Sequence, residues 1–319
     1  MTELSVVIPV YNEQENVTAL HESLSSVLTG LGKTFEVIYV DDGSTDASFD
    51  RLRTLAKQDA SVRLIRFRRN FGQTAAISAG IDHASGSVII LMDADLQNDP
   101  QDIPRLLAKL DEGNDVVSGW RKDRKDALLR RKLPSWIANG LISFMTGVPL
   151  HDYGCTLKAY RAKILANVRL YGEMHRFIPA YAAQEGARIA EIVVTHHPRR
   201  AGRSKYGITR TLNVVLDLIV VKFLWGYATN PIHLFGTVGV ISCLGGIVSG
   251  AVALYEKWSM GVYAHRNPLV LLAVFLFLLG VQCILMGLLA ELLMRTYHES
   301  QHKPTYSAAE LINFEKDEK

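Results

Sequence analysis

The sequence has few cysteines and little net charge. Three of its 319 residues are cysteine (Cys155, Cys243 and Cys283), and no C-x-x-C pair is present. This odd, sparse set argues against a disulfide framework and a Cys/His zinc site, so we interpret the cysteines as ordinary small apolar residues in a reducing compartment. The net charge is only +3, and no dense basic tract is present. These two features argue against nucleic-acid binding.

Several common motifs are also missing. The sequence contains no G-x-x-x-x-G-K-[ST], no G-x-G-x-x-G after its first predicted strand and no H-E-x-x-H. A P-loop enzyme, a dinucleotide dehydrogenase and a zinc protease are therefore disfavoured. The first residues lack a basic segment followed by a long apolar run, which argues against a secretory signal. We therefore expect the first domain to stay in the cytosol.

The first 120 residues alternate between short β-branched runs and segments with helical periodicity. This order predicts an α/β fold of Rossmann-like type, with a mainly parallel sheet and helices on both faces. The predicted strands are 4–10, 35–40, 62–67, 87–92 and 115–119, and the predicted helices are 15–31, 48–58, 73–84 and 104–112.

The C-terminal third contains two charge-free segments. Residues 232–255 and 269–290 hold no Asp, Glu, Lys or Arg. Each is long enough to cross a bilayer, whereas two buried helices of a soluble core are the alternative. The intervening linker carries Trp258 and Tyr263, which suit a membrane interface. We therefore predict a multi-pass cell-membrane protein with two spans and a cytosolic catalytic domain.

Two further segments have membrane-facing character. Residues 133–148 carry an apolar helical stripe after three basic residues, which predicts a helix on the membrane surface, or alternatively a core helix. Small residues in the first span let helices approach closely, so a homo-oligomer is an open alternative. The predicted organisation is an α/β domain at 1–207 (with the interfacial segment at 131–148), an interfacial helix at 208–230, a two-helix membrane region at 231–295 and a cytosolic tail at 296–319.

Acidic side chains cluster where the predicted strands end. Asp41 and Asp42 follow the second strand, and Asp93 and Asp95 follow the fourth. In open α/β sheets, ligands bind at this edge. Asp93 and Asp95 can share one Mg²⁺ or Mn²⁺ ion, which then neutralises a diphosphate leaving group. A lone D-x-D is a weak signal because turns also use such acids, but the second acidic pair strengthens it. Asp41 can accept a hydrogen bond from a base or a ribose.

Five sequence blocks carry a family resemblance. Residues 7–16, 40–46 and 92–97 resemble the signature set of the GT-A family 2 glycosyltransferases. The blocks at 152–161 and 200–206 are similar to those of the polyprenyl-phosphate glycosyltransferases within that family. The paired C-terminal spans resemble those of bactoprenol glucosyltransferases. The resemblance covers nearly the whole chain and implies a GT-A domain joined to membrane helices.

The resemblance also implies roles for individual residues. The catalytic group would comprise Asp95, Asp152, Arg200 and Lys205. The nucleotide sugar would contact Pro9, Tyr11, Glu13, Asp41, Asp93, Gln97 and Arg121. The divalent metal, Mg²⁺ or Mn²⁺, would be held by Asp93, Asp95 and Gln97. The lipid phosphate would be gripped by Arg131, Ser204 and Lys205, although Arg131 alone also suits a solvated surface position.

The implied reaction is an inverting, metal-dependent transfer of glucose or another hexose from a UDP-sugar to a polyprenyl phosphate. A phosphate oxygen is already ionised near neutral pH, so it can attack without a strong general base. Asp152 is the candidate base or orienting group, or alternatively a turn acid. The sequence lacks the Gln-x-x-Arg-Trp of processive relatives, which predicts a single transfer. The alternatives are a dolichol-phosphate mannose synthase using GDP-mannose and a catalytically inactive membrane scaffold that binds a nucleotide sugar.

Overall fold

The computed structural model describes residues 2–122, 139–140, 142–143, 146–166, 168, 174–198, 231–261, 263–300 and 306–314. The chain forms two compact units. The first comprises Met1–Asp217 together with Pro304–Lys319, and the second comprises Leu218–Lys303. The predicted interfacial helix at 208–230 lies outside the described residues.

The first unit contains the mixed sheet and its covering helices. Its strands are β1 (Leu4–Val10), β2 (Phe35–Asp41), β3 (Val62–Phe67), β4 (Val88–Leu91), β5 (Val116–Trp120), β6 (Lys158–Arg161), β7 (Ile189–Val193) and β8 (Ala308–Ile312). Its helices are α1 (Val17–Gly30), α2 (Ser48–Gln58), α3 (Gln73–Asp82), α4 (Ile103–Asp111), α5 (Ala162–Leu165) and α6 (Ile178–Gln184), with short 3₁₀ turns at Pro100–Asp102 and Met174–Phe177.

The strand order is β7-β5-β6-β4-β1-β2-β3-β8. Strand β1 pairs in parallel with β2 and β4, β2 with β3, and β5 with β7. Strand β6 runs antiparallel between β4 and β5. The carboxyl ends of β1, β2, β4 and β5 therefore lie at one edge of the sheet, which we call the carboxyl edge. This arrangement confirms the predicted fold class.

Hydrophobic burial explains the layering. The central strand β1 is buried along almost its whole length, as expected of a strand covered on both faces. Helix α1 buries Val17, Leu20, Leu24 and Leu28, which recur at helical spacing on one side. The partly exposed exception in β1 is Pro9, one residue before the strand ends.

The opposite edge, which we call the amino edge, holds a fully enclosed carboxylate. Glu36 is 2% exposed and accepts a hydrogen bond from Ser5 Oγ. Its Oε1 also accepts from Ser85 N at 2.7 Å and from Ser85 Oγ at 2.9 Å. Arg63 Nε lies 2.8 Å from the other oxygen. The amino edge is thus closed by residues of four different segments.

The C-terminal segment returns to the sheet, which the sequence analysis did not predict. Strand β8 pairs antiparallel with β3, and the Tyr306 ring stacks on Phe67 at 5.3 Å. Asn313 Nδ2 donates to Ala56 O at 2.7 Å. Strand β8 therefore covers the edge of β3, which would otherwise expose unpaired backbone groups.

The second unit is a hairpin of two long helices, α7 (Pro231–Met260) and α8 (Pro268–Ser300). Both are long and apolar enough to be candidate membrane spans. A Cβ added to Gly239 would lie 2.8 Å from Gly280 O, and one added to Gly246 would lie 2.9 Å from Ala273 O. The predicted close approach is confirmed, and it joins α7 to α8 of the same chain.

The predicted surface helix at 133–148 is described only in part. Of its apolar stripe, Val148 alone is among the described residues, and it is buried. Two polar residues off that stripe contact the following loop: Asn139 Nδ2 donates to His151 O at 2.8 Å and Ser143 Oγ donates to Leu150 O at 3.1 Å. The end of this segment therefore packs on its own domain.

Candidate active site

The Asp93-Ala94-Asp95 turn leaves β4 at the carboxyl edge. Asp95 is 8% exposed, and its Oδ1 accepts a hydrogen bond from Gln97 N at 3.1 Å. Leu96, between them, has a φ of 60°, a left-handed conformation that is uncommon for leucine. Such backbone strain is concentrated at functional sites. One turn therefore carries Asp93, Asp95 and Gln97, with the backbone of Gln97 bonded to Asp95.

Asp93 is held by two neutral donors. Gln73 Nε2 donates to its Oδ1 at 2.7 Å, and Thr156 Oγ1 donates to its Oδ2 at 2.6 Å. Burial, and then the neighbouring charge of Asp95, raise the pKa of Asp93 to about 6. Two carboxylates forced this close repel each other, and a bound cation would relieve that repulsion.

The loops after β1 and β2 are bonded to each other. Asn12 N donates to Ser44 Oγ at 3.0 Å, and Thr45 N donates to Asn12 Oδ1 at 2.8 Å. Asn12 has a φ of 54°, which asparagine tolerates better than most residues. Glu13 N donates to Ser48 Oγ at 2.8 Å. Tyr11 and Glu13 therefore lie in a loop after β1 that is fixed by hydrogen bonds to the loop after β2.

Asp41 is the last residue of β2 and is completely buried. Its Oδ1 accepts from Ser44 N at 3.4 Å, whereas its Oδ2 has no hydrogen-bond partner among the described residues. Burial raises the pKa of Asp41. A buried acceptor without a donor is costly to a protein, so an unfilled Asp41 oxygen indicates a place for a ligand N–H or O–H.

The neighbouring Asp42 has a different use. Its two carboxylate oxygens accept from Phe71 N at 2.6 Å and Gly72 N at 3.0 Å, just before α3. Gly43 has a φ of 67°, and a Cβ there would lie 2.5 Å from Arg69 C. Asp42 and Gly43 thus fix the loop between β3 and α3, and α3 in turn carries Gln73 to Asp93.

Arg121 and Asp152 form a two-pronged ion pair. Arg121 follows β5, and its Nε and Nη2 donate to the two oxygens of Asp152 at 2.7 and 3.0 Å. Both side chains are largely buried, at 13% and 5% exposure. Gly154 N also donates to Asp152 at 3.1 Å. This carboxylate is engaged by cation and amide donors, which suits an orienting group better than a proton acceptor.

A second loop is bonded beside the Asp95 turn. His197 N donates to Gln97 O at 2.9 Å, and its Nε2 lies 2.9 Å from Asp99 Oδ2. Thr195 N donates to Asp102 Oδ2 at 2.6 Å. The stretch 195–197 therefore lies against the acidic turn. The predicted phosphate-binding residues Arg131, Arg200, Ser204 and Lys205 lie outside the described residues.

Three residues around the acids were not predicted from the sequence: Gln73, Thr156 and Lys158. Gln73 and Thr156 come from separate elements, α3 and the segment before β6, so no local spacing links them to Asp93. Thr156 and Lys158 stand inside the 152–161 block noted for its resemblance, which was the available signal.

The mixed sheet with its acidic carboxyl edge has a GT-A-like fold. Solved structures of glucosyl-3-phosphoglycerate synthase from Mycobacterium tuberculosis share this fold. The complex with Mn²⁺, UDP and phosphoglyceric acid has a TM-score of 0.52 at 19% identity, over 70% of this chain and 78% of that one. The complex with Mn²⁺ and UDP-glucose has a TM-score of 0.51 at 19% identity, over 69% and 79%.

The chain belongs to glycosyl transferase family 2, whose model matches residues 5–169. It is 46% identical to the dodecaprenyl-phosphate galacturonate synthase of Rhizobium johnstonii, over 98% of this chain and 93% of the relative. It is 40% identical to the undecaprenyl-phosphate 4-deoxy-4-formamido-L-arabinose transferase of Salmonella paratyphi B, over 97% and 94%. The predicted family and enzyme class are therefore confirmed.

Proposed function

We propose that this glycosyltransferase transfers one sugar from a UDP-sugar to a polyprenyl phosphate with inversion at the anomeric carbon. Two relatives named for polyprenyl-phosphate acceptors match nearly the whole chain, including the helical hairpin. Asp41 is the observation that supports a UDP-sugar as the substrate that gives up the sugar. Its buried, unpartnered oxygen suits the N3–H of uracil or a ribose hydroxyl.

A divalent cation fits the donor set at the carboxyl edge. Asp93 and Asp95 supply hard carboxylate oxygens, and Gln97 can add an amide oxygen. The described residues offer no cluster of three or more His, Cys, Asp or Glu side chains, so diphosphate and water oxygens would complete the shell. When bound, Mg²⁺ or Mn²⁺ neutralises charge on the departing diphosphate.

The chain's own residues orient the reactants. An acceptor phosphate oxygen forms the new bond to C1 of the sugar, and the C1–O bond to UDP breaks with its electron pair leaving on UDP. Asp152 holds Arg121 in one orientation at the end of β5, and its guanidinium is a source of positive charge near the phosphates. We assign Arg200, Ser204 and Lys205 to the phosphates, with Arg131 beside the lipid phosphate.

The membrane belongs to this proposal because the acceptor is a membrane lipid. Helices α7 and α8 are candidate spans with largely exposed apolar side chains. We place the α/β unit in the cytosol, where nucleotide sugars are available, with both spans in the cell membrane.

A donor-by-acceptor transfer assay tests the proposal. Purified full-length protein with Mn²⁺ is incubated with UDP-galacturonic acid, UDP-4-deoxy-4-formamido-L-arabinose, UDP-glucose or GDP-mannose, and with polyprenyl phosphate. Mass spectrometry of the lipid should show one added sugar from a UDP donor. Product from GDP-mannose alone would support the mannose-synthase alternative. No product from any donor would contradict the proposal and favour an inactive scaffold.

A further inference from the structure

A buried lysine lies beneath the turn that joins Asp152 to β6. Lys158 is the first residue of β6 and is 3% exposed. In the strand register it lies opposite Leu91 of β4 and Ser118 of β5. Its Nζ donates to Tyr153 O at 3.0 Å and to Cys155 O. Among the described residues, these carbonyls are its hydrogen-bond acceptors, and no carboxylate forms an ion pair with it. Burying an ammonium group with two carbonyl acceptors and no carboxylate costs folding free energy. We therefore ask what these two hydrogen bonds hold in place.

The turn held by Lys158 carries two side chains of the active site. Asp152, at its start, makes the two-pronged pair with Arg121. Thr156, at its end, donates to Asp93 Oδ2 at 2.6 Å. The carbonyls that accept from Lys158 belong to the residues between them. One ammonium group therefore controls the spacing between the Arg121–Asp152 pair and the donor to Asp93.

Packing around this turn leaves a small cavity. A cavity of about 10 Å³, room for about one water molecule, lies against Gly154, Cys155 and Thr156. Tyr160, which lines the same cavity, has a buried hydroxyl without a hydrogen-bond partner among the described residues. Burial lowers the pKa of Lys158 to about 8, which leaves the ammonium mainly protonated at neutral pH.

We propose that Lys158 is a positioning residue of the transferase, acting through Thr156 on Asp93 and through the turn on Asp152. This inference rests on the proposed function for its catalytic consequence, but its structural half, the placement of Asp93 by Thr156, can be measured without sugar transfer. A positioning residue acts through the group it places, so its loss and the loss of that group should not have independent effects.

The test is a double-mutant cycle with Lys158→Met and Thr156→Val in the full chain. We expect each variant to lower kcat by about 10- to 100-fold, because small displacements in a site are costly. The donor KM, measured at saturating Mn²⁺, should stay within about threefold. The double variant should lose little more than the worse single variant. Arg161→Met is the matched control, because Arg161 is a basic residue of the same strand that pairs with the surface acid Asp111.

A second readout does not depend on transfer. The dissociation constant of Mn²⁺ in the presence of UDP, followed by electron paramagnetic resonance, should rise about 10-fold in both single variants, since outer contacts tune metal ligands. It should rise no further in the double variant. If the wild type binds Mn²⁺ and UDP but transfers no sugar, the proposed function fails while this measurement still judges the inference.

Three results would overturn the inference. The first is a kcat and a Mn²⁺ affinity of Lys158→Met within about twofold of the wild type. The second is a double variant whose loss of kcat is the product of the two single losses. The third is a loss of kcat in Lys158→Met no greater than that in Arg161→Met. If Lys158→Met does not fold, Lys158→Gln keeps an N–H donor for one carbonyl and replaces it in the cycle. Thr156→Val, which removes only the hydroxyl, must by itself weaken Mn²⁺ binding and turnover.

Discussion

Strand β2 carries a buried carboxylate at each end, and the two have different surroundings. Glu36, at the amino edge, accepts from Ser5 and Ser85 and lies beside Arg63. Asp41, at the carboxyl edge, accepts from Ser44 through one oxygen. Its other oxygen, like Glu36 Oε2, receives no hydrogen bond among the described residues. Arg63 nevertheless lies 2.8 Å from Glu36 Oε2, whereas no described cation forms an ion pair with Asp41. The two acids are similar in chemistry and burial, so the difference lies in what the fold provides for them.

This difference separates acids that serve the fold from acids that serve a ligand. A buried carboxylate with a cation beside it, as Glu36 has in Arg63, stabilises the elements that supply its partners. A buried carboxylate without a partner, or one placed beside another acid as Asp93 is, costs stability in the free protein. That cost is offset when a cation or a nucleotide binds. The carboxyl edge therefore gives up stability for function, whereas the amino edge does not.

The largest effect should come from the acidic turn. We expect Asp95→Ala to lower sugar transfer by about 1000-fold, because it removes a metal ligand where charge develops in the transition state. Turnover with saturating donor measures this loss. Asp111→Ala removes an exposed acid at the end of α4 and is the control. A turnover of Asp95→Ala within tenfold of the wild type would show that Asp95 is not a metal ligand needed for transfer.

The amino edge should respond in stability. Glu36→Ala leaves Arg63, Ser5 and Ser85 without their shared acceptor, and we expect a loss of about 3 kcal/mol in the free energy of unfolding. Chemical denaturation in detergent micelles measures it. The same change should leave the donor KM of the folded protein unaltered. A loss below about 1 kcal/mol would show that the buried cluster contributes little to the fold.

Asp41→Asn should reverse that pattern. The change removes a charge whose burial raises the pKa of Asp41, so the free energy of unfolding should not fall. The amide cannot accept from a base N–H as strongly as the carboxylate, so the donor KM should rise by about 10-fold. Steady-state kinetics against donor concentration checks this. An unchanged KM with reduced stability would place Asp41 with Glu36 as a structural acid.

Local pattern predicted one part of this molecule well. Strands β1 to β5 were predicted within two residues because each is a β-branched run bounded by polar turns. The acids at their ends were predicted to meet because parallel strands end at one edge. Asp93 and Asp95 needed no long-range information, since adjacent positions in one turn decide their separation.

Other parts depended on contacts between distant segments. Strand β8 pairs with β3 although more than half of the chain separates them. None of its residues is fully buried, so its sequence carries no clear strand signal. The pairing of Arg121 with Asp152 turned a candidate base into a partnered acid. Gln73 and Thr156 reach Asp93 from segments 20 and 63 residues away in the sequence, so only the tertiary fold brings them there.

The most direct test of the comparison is the thermal unfolding of the wild type and Asp93→Asn, each with and without Mn²⁺ and UDP. Burial and Asp95 raise the pKa of Asp93, so the neutral amide should melt a few degrees higher than the wild type without ligand. Mn²⁺ with UDP should raise the melting temperature of the wild type, since a ligand that binds the native state stabilises it, and should leave Asp93→Asn nearly unchanged. A variant that melts lower than the wild type without ligand, yet gains as much from Mn²⁺ and UDP, would contradict the account.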